Sequence, residues 1–283
     1  MSAPEVALPV GGAATGVAHP ARVPARPWLA AYLHWLEQYK RTWRGSAATT
    51  LLIPLGTLLA LGYGLGTLVD GGGGLPGVSV SYAAFLAPGL LATAVMQNSC
   101  DDSMWPVMGA IKWNRTYLAM LATPLGSRDV WAGHALWILT RATVAATVFL
   151  GFSALLGLVS SWWALAVPLV GVLLAAAFAL PVMAFSARAE NDENFSLLYR
   201  FAIIPLSLFS GAYFQVSQLP AWIQPVAWAT PLWHGVQLTR GAMLGPASGL
   251  TVGMTVLHLA VIALWVAVGA RLVDASFRRR LVR

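Results

Sequence analysis

Few residues in this chain could do chemistry alone. The five histidines, His19, His34, His134, His234 and His258, fall in separate segments. They form no His-x-x-x-His pair and no His/Glu cluster, so no metal-ligand set can be read. The lysines are Lys40 and Lys112, and neither ends a G-x-x-x-x-G-K-[ST] loop that could cradle nucleotide phosphates. A G-x-S-x-G nucleophile elbow is absent. Cys100 is the only cysteine, which excludes an intrachain disulfide and a Cys-rich cluster. His234, Gln237 and Arg240 are the one polar grouping a lipid-modifying enzyme could use, and their spacing makes a poor catalytic cluster. Asp70, Asp101, Asp102, Asp129, Glu190, Asp192, Glu193 and Asp274 lie in loops or at the ends of apolar runs. No proton or sodium relay is therefore evident inside the apolar segments. A stand-alone secondary transporter would need such groups and inverted repeats. The remaining expectation is a subunit that draws its energy from a partner, with no catalytic residue, metal or cofactor of its own.

The elements that would hold these residues are membrane helices. Of 283 residues, 58% are hydrophobic and 10% charged, and mean hydropathy is +0.70. Soluble globular proteins are about 45–50% apolar and about 25% charged, so a water-soluble domain is excluded. The net charge of +7 then points to anionic headgroups rather than nucleic acid. Residues 1–27 read as a disordered tail. From Trp28 to Arg44, Trp28, Tyr32, Trp35, Leu36, Tyr39 and Trp43 share one stripe, with His34, Glu37, Lys40, Arg41 and Arg44 opposite. That is the pattern of a helix lying in the membrane interface, or, less simply, of an amphipathic helix packed on protein. A span needs about 20 largely apolar residues. Six segments qualify: 47–69, 82–100, 142–158 (with an extension back to Val130), 163–186, 197–214 and 250–270. The expected fold is an all-α membrane protein. It has six spans, an N-terminal interfacial helix and short re-entrant outer helices before the last span.

Basic residues set the expected orientation. One set of loops holds Lys40, Arg41, Arg44, Lys112, Arg115, Arg128, Arg188, Arg271 and Arg278 to Arg280, while the opposite loops hold only Arg240. Both termini are expected in the cytoplasm of an inner, plasma-membrane protein. Arg141 is read as snorkelling to the inner headgroups, with a functional intramembrane charge as the alternative. The cytoplasmic stretch 105–129 is too long for a turn. Tyr117, Leu118, Leu121 and Leu125 share a helical face there, and Thr123-Pro124 ends it. Such a helix either docks on another protein or lies in the inner leaflet. On the outer side, prolines 220, 225 and 231 break the stretch 215–240 into short re-entrant or interfacial pieces. Tyr213, Trp222, Trp228 and Trp233 either form an aromatic belt or stack on an amphiphilic cargo.

Three runs carry a resemblance. They are Asn114-Arg115-Thr116-Tyr117-Leu118-Ala119-Met120-Leu121-Ala122-Thr123-Pro124-Leu125, Ala87-Pro88-Gly89-Leu90-Leu91, and the Ser210-Gly211-Ala212-Tyr213-Phe214 to Thr230-Pro231-Leu232-Trp233-His234-Gly235 stretch. The chain from about Trp28 onward resembles the membrane subunit of type-2 ABC exporters. It is closest to permeases of nodulation-factor (lipo-oligosaccharide) exporters, with daunorubicin-type drug-efflux permeases as near relatives. The resemblance implies two copies of this chain with two copies of a separate ATP-binding subunit, which holds the ATP and Mg. It implies that the helix 28–44, through Trp35, Tyr39, Lys40 and Arg41, is gripped by that ATPase. Residues 112–125 would be the coupling helix, with Arg115, Tyr117, Leu118, Leu121 and Pro124 at the contact. Tyr213, Phe214, Trp228, Trp233 and His234 become candidates for the cargo path. Gly62 and Gly66 would permit close approach of a second copy or of a helix in the same chain. The cargo implied is a lipo-oligosaccharide, a lipid-linked glycan or a glycolipid, with a hydrophobic drug as the alternative.

Overall fold

A computed structural model describes residues 26–75 and 79–282, and these are helical with connecting loops. Apart from Arg26 and Pro27, the expected tail lies outside the described residues. The first helix is α1 (Pro27–Thr57), which continues through a π-helical segment (Leu58–Leu65) into α2 (Gly66–Gly71). The interfacial helix and the first span, expected as two elements, are therefore one continuous rod. Next come α3 (Tyr82–Met108), a π segment (Gly109–Trp113), α4 (Thr116–Leu121) and α5 (Ser127–Leu155). They are followed by α6 (Val167–Arg188), α7 (Glu193–Leu198), a π segment (Tyr199–Ile203) and α8 (Ile204–Phe209). The last are α9 (Gln224–Ala229), α10 (Pro231–Leu244) and α11 (Val252–Leu281).

Among the described residues four stretches are long and apolar enough to cross a membrane: Thr50–Gly71, Ser127–Leu155, Trp162–Arg188 and Val252–Leu281. α3 is as long, but Pro88, Gly89, Gln97, Asn98 and Ser99 dilute its apolar run. It can afford them because it lies at the centre, packed on α6, α10 and α5, with nearly every residue from Tyr82 to Thr93 buried. A helix walled by protein needs no continuous apolar surface. The helix from Glu193 to Phe209 is about 25 Å long at about 1.5 Å per residue, short of the ~30 Å hydrocarbon core. It ends before the expected Phe214 because Gly211 takes a left-handed φ of 80°, which a glycine adopts without a Cβ penalty. That turn lays Ala212 on α3, where a Cβ at Gly89 would come within 2.6 Å of the Ala212 backbone.

The rod formed by α1 and α2 runs parallel to α5. Tyr39 meets Trp137 with ring centroids 5.1 Å apart, Pro54 lies beside Ala146 and Phe149, and the Tyr63 hydroxyl donates to the Leu156 carbonyl at 3.4 Å. Gly62 and Gly66 are buried against Ala83 and Tyr82 of the same chain, so close packing within one copy explains them. Along the apolar middle of this rod, Gly56, Ala60 and Gly64 are small residues left open.

α5 has 29 residues and is about 43 Å long, so it overshoots a bilayer by roughly 13 Å. The overshoot lies at the end of the molecule where α1 begins, α11 finishes and basic residues cluster. Arg141 is not free to snorkel. Its guanidinium pairs with the Asp102 carboxylate of α3 and sits 5.1 Å from the Tyr39 ring. A buried arginine is tolerable when its charge is matched in this way.

Candidate functional site

The basic end carries a short helix held by a knot of aromatic rings. α4 spans only six residues, Thr116–Leu121, much less than the expected 112–125. Arg115 enters it in the left-handed region, with φ 50°. On so short a helix, residues three apart share a face and neighbours do not. Tyr117 and Met120 therefore point inward while Leu118 is 45% exposed. This corrects the expectation that Tyr117 shares a docking face with Leu118. Tyr117 is fully buried and cannot reach a partner.

Three long helices surround Tyr117. Its hydroxyl meets the His134 Nδ1 of α5 at 2.5 Å. Burial raises the Tyr117 pKa well above its ordinary value, so the hydroxyl stays protonated and shares one hydrogen bond with the imidazole. Trp35 of α1 stacks on His134 with centroids 3.8 Å apart and meets the Tyr117 ring edge-on. Phe277 of α11 lies 5.5 Å from Tyr117 on another side. Nearby bonds tie the same helices. Trp131 Nε1 donates to Asp274 at 3.3 Å, Arg188 Nε donates to Ser276 at 2.9 Å, and Lys112 donates to the Glu190 carbonyl. The knot thus links α4, α1, α5, α6 and α11.

Outside the knot lies an apolar surface. Trp113 is 61% exposed, and Arg115, Ala119, Ala122, Thr123 and Pro124 are open beside Leu118. Leu121 is half-buried. Trp113 sits in a π turn rather than on a helical face, so spacing alone does not place it on the exposed patch. The α1 stripe is real, with Ala31 and Trp35 buried and Tyr32, Leu36 and Tyr39 partly so. It packs on α5, however, so its aromatic surface is used on protein and not on lipid. Lys40, Arg41, Arg44 and Trp43 remain exposed.

At the far end the expected cargo-path residues divide. Trp228 and Trp233 line a cavity of about 310 Å³ together with Phe85, Gln237 and Arg240. Tyr213 does not line the cavity, its backbone carbonyl accepts from the Tyr82 hydroxyl at 3.3 Å, and Phe214 packs on Val216 and Leu219. His234 is buried away from the cavity, 2.6 Å from His258 of α11 and 2.8 Å from the Trp228 carbonyl. Arg240, expected as a loop charge, is buried within α10. Its Nη2 donates to the Gly211 carbonyl at 2.9 Å and to the Phe85 carbonyl at 3.4 Å. Its guanidinium lies 3.9 Å from the Phe85 ring centroid. No group of three or more metal-ligating side chains occurs among the described residues.

Comparison with known proteins fits this architecture. Residues 31–244 match the family model described as ABC-2 type transporter. Nodulation protein J of Rhizobium leguminosarum bv. viciae is 34% identical over 260 residues, covering 89% of this chain and 96% of that protein. Nodulation protein J of Rhizobium meliloti is 33% identical over 271 residues, covering 93% of this chain and 97% of its own. The inner membrane transport permease YadH of Escherichia coli is 25% identical over 229 residues, 77% of this chain and 84% of that one. A long-helix membrane body with a helical tip and no nucleotide-binding loop is the form of a transport subunit, and by both family match and relatives the chain belongs to the ABC-2 type transporter family.

Proposed function

We propose that this chain is the membrane-spanning permease of an ATP-driven exporter and is moved by a separate ATP-binding subunit. The observation that carries this reading is α4. Its outer face is an exposed apolar patch around Trp113, Leu118 and Pro124, and its inner face is locked through Tyr117 to three long helices. An apolar patch beside a bare cation, Arg115, suits a groove on a protein. A displacement of α4 by that partner would reach α1, α5 and α11 together, and packed interfaces answer such a push by switching between discrete arrangements.

In this reading two copies of the chain associate with two ATPase subunits, which hold the ATP and Mg. The open small residues Gly56, Ala60 and Gly64, flanked by exposed Leu52, Ile53 and Leu59, suit close contact with the second copy. The chain crosses an inner membrane six times. α3 and the Glu193–Phe209 helix supply the two spans beyond the four apolar ones, the shorter of them in a bilayer thinned around it, and α9 and α10 form a re-entrant outer segment. Both termini and α4 face the cytoplasm, and Trp43, Lys40, Arg41 and Arg44 touch headgroups and the ATPase. The cargo is an amphiphile bearing a lipid and a glycan part, in keeping with the nodulation proteins the chain resembles. A hydrophobic drug is the cargo of the alternative reading.

Site-directed crosslinking tests the docking claim. Cys100 is buried, so the natural chain gives little background. Leu118→Cys should crosslink to a co-expressed ATP-binding subunit. A crosslink from a buried control, Met120→Cys, equal to that from Leu118→Cys would overturn the assignment of faces, and failure of both would overturn the docking.

A further inference from the structure

The cavity at the far end is polar where a passage for purely apolar cargo should be dry. It holds about 310 Å³, near the lower end of the ~300–1,000 Å³ typical of small-molecule sites. Two of its polar groups have bonding capacity left over. The Gln237 amide makes no hydrogen bond among the described residues, and Arg240 uses only Nη2, on the Gly211 and Phe85 carbonyls. The Arg240 Nε is buried without a partner. Arg240 as a whole is 7% exposed, and the Phe85 ring holds its guanidinium from one side. No Asp or Glu lines the cavity. One wall is aromatic: Trp228 is 46% exposed, and its ring lies 6.4 Å from that of Trp233.

Each class of ligand meets this set of groups differently. A purely apolar molecule would bury the Gln237 amide without a partner and leave the remaining guanidinium donors unmet, which is costly. A cation would face an unmatched positive charge. A bare oxyanion would satisfy Arg240 but leave the tryptophan wall without a role. A saccharide uses all three features. Its C–H face lies on the electron-rich face of an indole, and its hydroxyl and carbonyl oxygens accept from the amide and from the guanidinium. The donors are already held in place by backbone and ring, so little ordering is needed on binding.

We propose that this cavity is a saccharide-binding site that takes the carbohydrate headgroup of the amphiphile on the side away from α4. It deepens, and rests on, the export reading above. At about 310 Å³ the site is too small to enclose a lipid-bearing cargo, so it takes part of the headgroup only.

The test uses the permease with its ATPase in lipid nanodiscs and soluble probes, N,N′-diacetylchitobiose and maltose, followed by saturation-transfer NMR on the sugar protons. Arg240 also braces the fold, so the variants are Trp228→Ala and Gln237→Leu, both at partly exposed positions, with melting temperature as the folding control. Saturation transfer to at least one sugar is expected. Gln237→Leu should weaken binding about tenfold through one lost hydrogen bond to an otherwise buried group, Trp228→Ala should abolish it, and exposed Trp162→Phe should leave it unchanged. No transfer from the folded complex to either sugar would overturn the site. Equal transfer in the two cavity variants would also overturn it. Chemical-shift changes with sodium sulfate alone would replace it with an oxyanion site. ATPase copurification separates the two levels: if it persists, a negative sugar result removes only this site, and if wild type lacks it, the export reading itself fails.

Discussion

Replacing Gly133 of α5 with alanine should loosen the N-terminal part of α1 while leaving the rest of the chain in place. A Cβ at Gly133 would lie 2.5 Å from the Ala31 Cβ, 2.6 Å from the Trp28 carbonyl oxygen and 2.8 Å from the Tyr32 nitrogen. Comfortable carbon contacts are about 3.5–4.0 Å, so the two helices must separate by roughly 1 Å. Two of the obstructing atoms are backbone and cannot rotate away. Overpacking of this kind costs about 1–3 kcal/mol, and the rigid neighbours place it at the upper end. Alanine's better helix propensity returns up to about 1 kcal/mol. The net loss expected is about 2 kcal/mol. The same gap opens the stack of Trp35 on His134, since a gap of about 0.5–1 Å already forfeits a quarter to a half of each dispersion contact. Gly151 is the internal control. It lies on the same helix with nothing within 4 Å of its would-be Cβ, so Gly151→Ala should be neutral or slightly stabilising. Thermal unfolding of the two variants in one lipid mixture, with ATPase copurification alongside, reads out both effects. Equal stability of Gly133→Ala and Gly151→Ala would refute the close helix approach and the platform built on it.

Leu118→Asp places a charge on the exposed face of α4 and should abolish ATPase copurification with little change in permease stability; normal assembly would refute the docking face. Tyr117→Phe keeps the ring contacts but leaves the buried His134 Nδ1 without its hydrogen-bond partner, costing about 1–2 kcal/mol. It should lower cargo moved per ATP hydrolysed in a reconstituted assay while the ATPase still binds, and an unchanged ratio would refute the linkage. Arg141→Met leaves the Asp102 carboxylate without its arginine and should destabilise the chain by about 3 kcal/mol. The double variant with Asp102→Leu should recover most of that loss in a denaturation assay, and a double variant as unstable as the single one would refute the pairing.

Periodicity and composition made much of this protein legible before any coordinates. Burial reproduces the α1 stripe, α5 does extend back toward the basic end, and apolar helices occur at Trp162–Arg188 and Val252–Leu281. What stayed hidden depends on contacts between distant residues. Arg141 meets Asp102 across 39 positions, and a lone arginine in an apolar run gives no sign of its partner. Tyr117 and Leu118 are both apolar-faced residues in one short turn. Only the neighbours, His134, Trp35 and Phe277, decide which of them turns inward. Arg240 looked like an outer loop charge because Pro231 and Gly241 bracket a short segment, yet α10 is buried between α3, α6 and α11. Its cavity is assembled from Phe85, Gly211, Trp228, Trp233 and Gln237, which no linear motif brings together.

Reconstitution tests the central claim most directly. The purified chain is placed in proteoliposomes with and without its ATP-binding partner, and both ATP hydrolysis and outward movement of a fluorescent glycolipid are followed. A gate with no nucleotide site of its own should show neither activity alone and both with the partner, and the Leu118→Asp variant should lose the second. Hydrolysis by the chain unaided, or movement driven by a proton gradient without the partner, would contradict it.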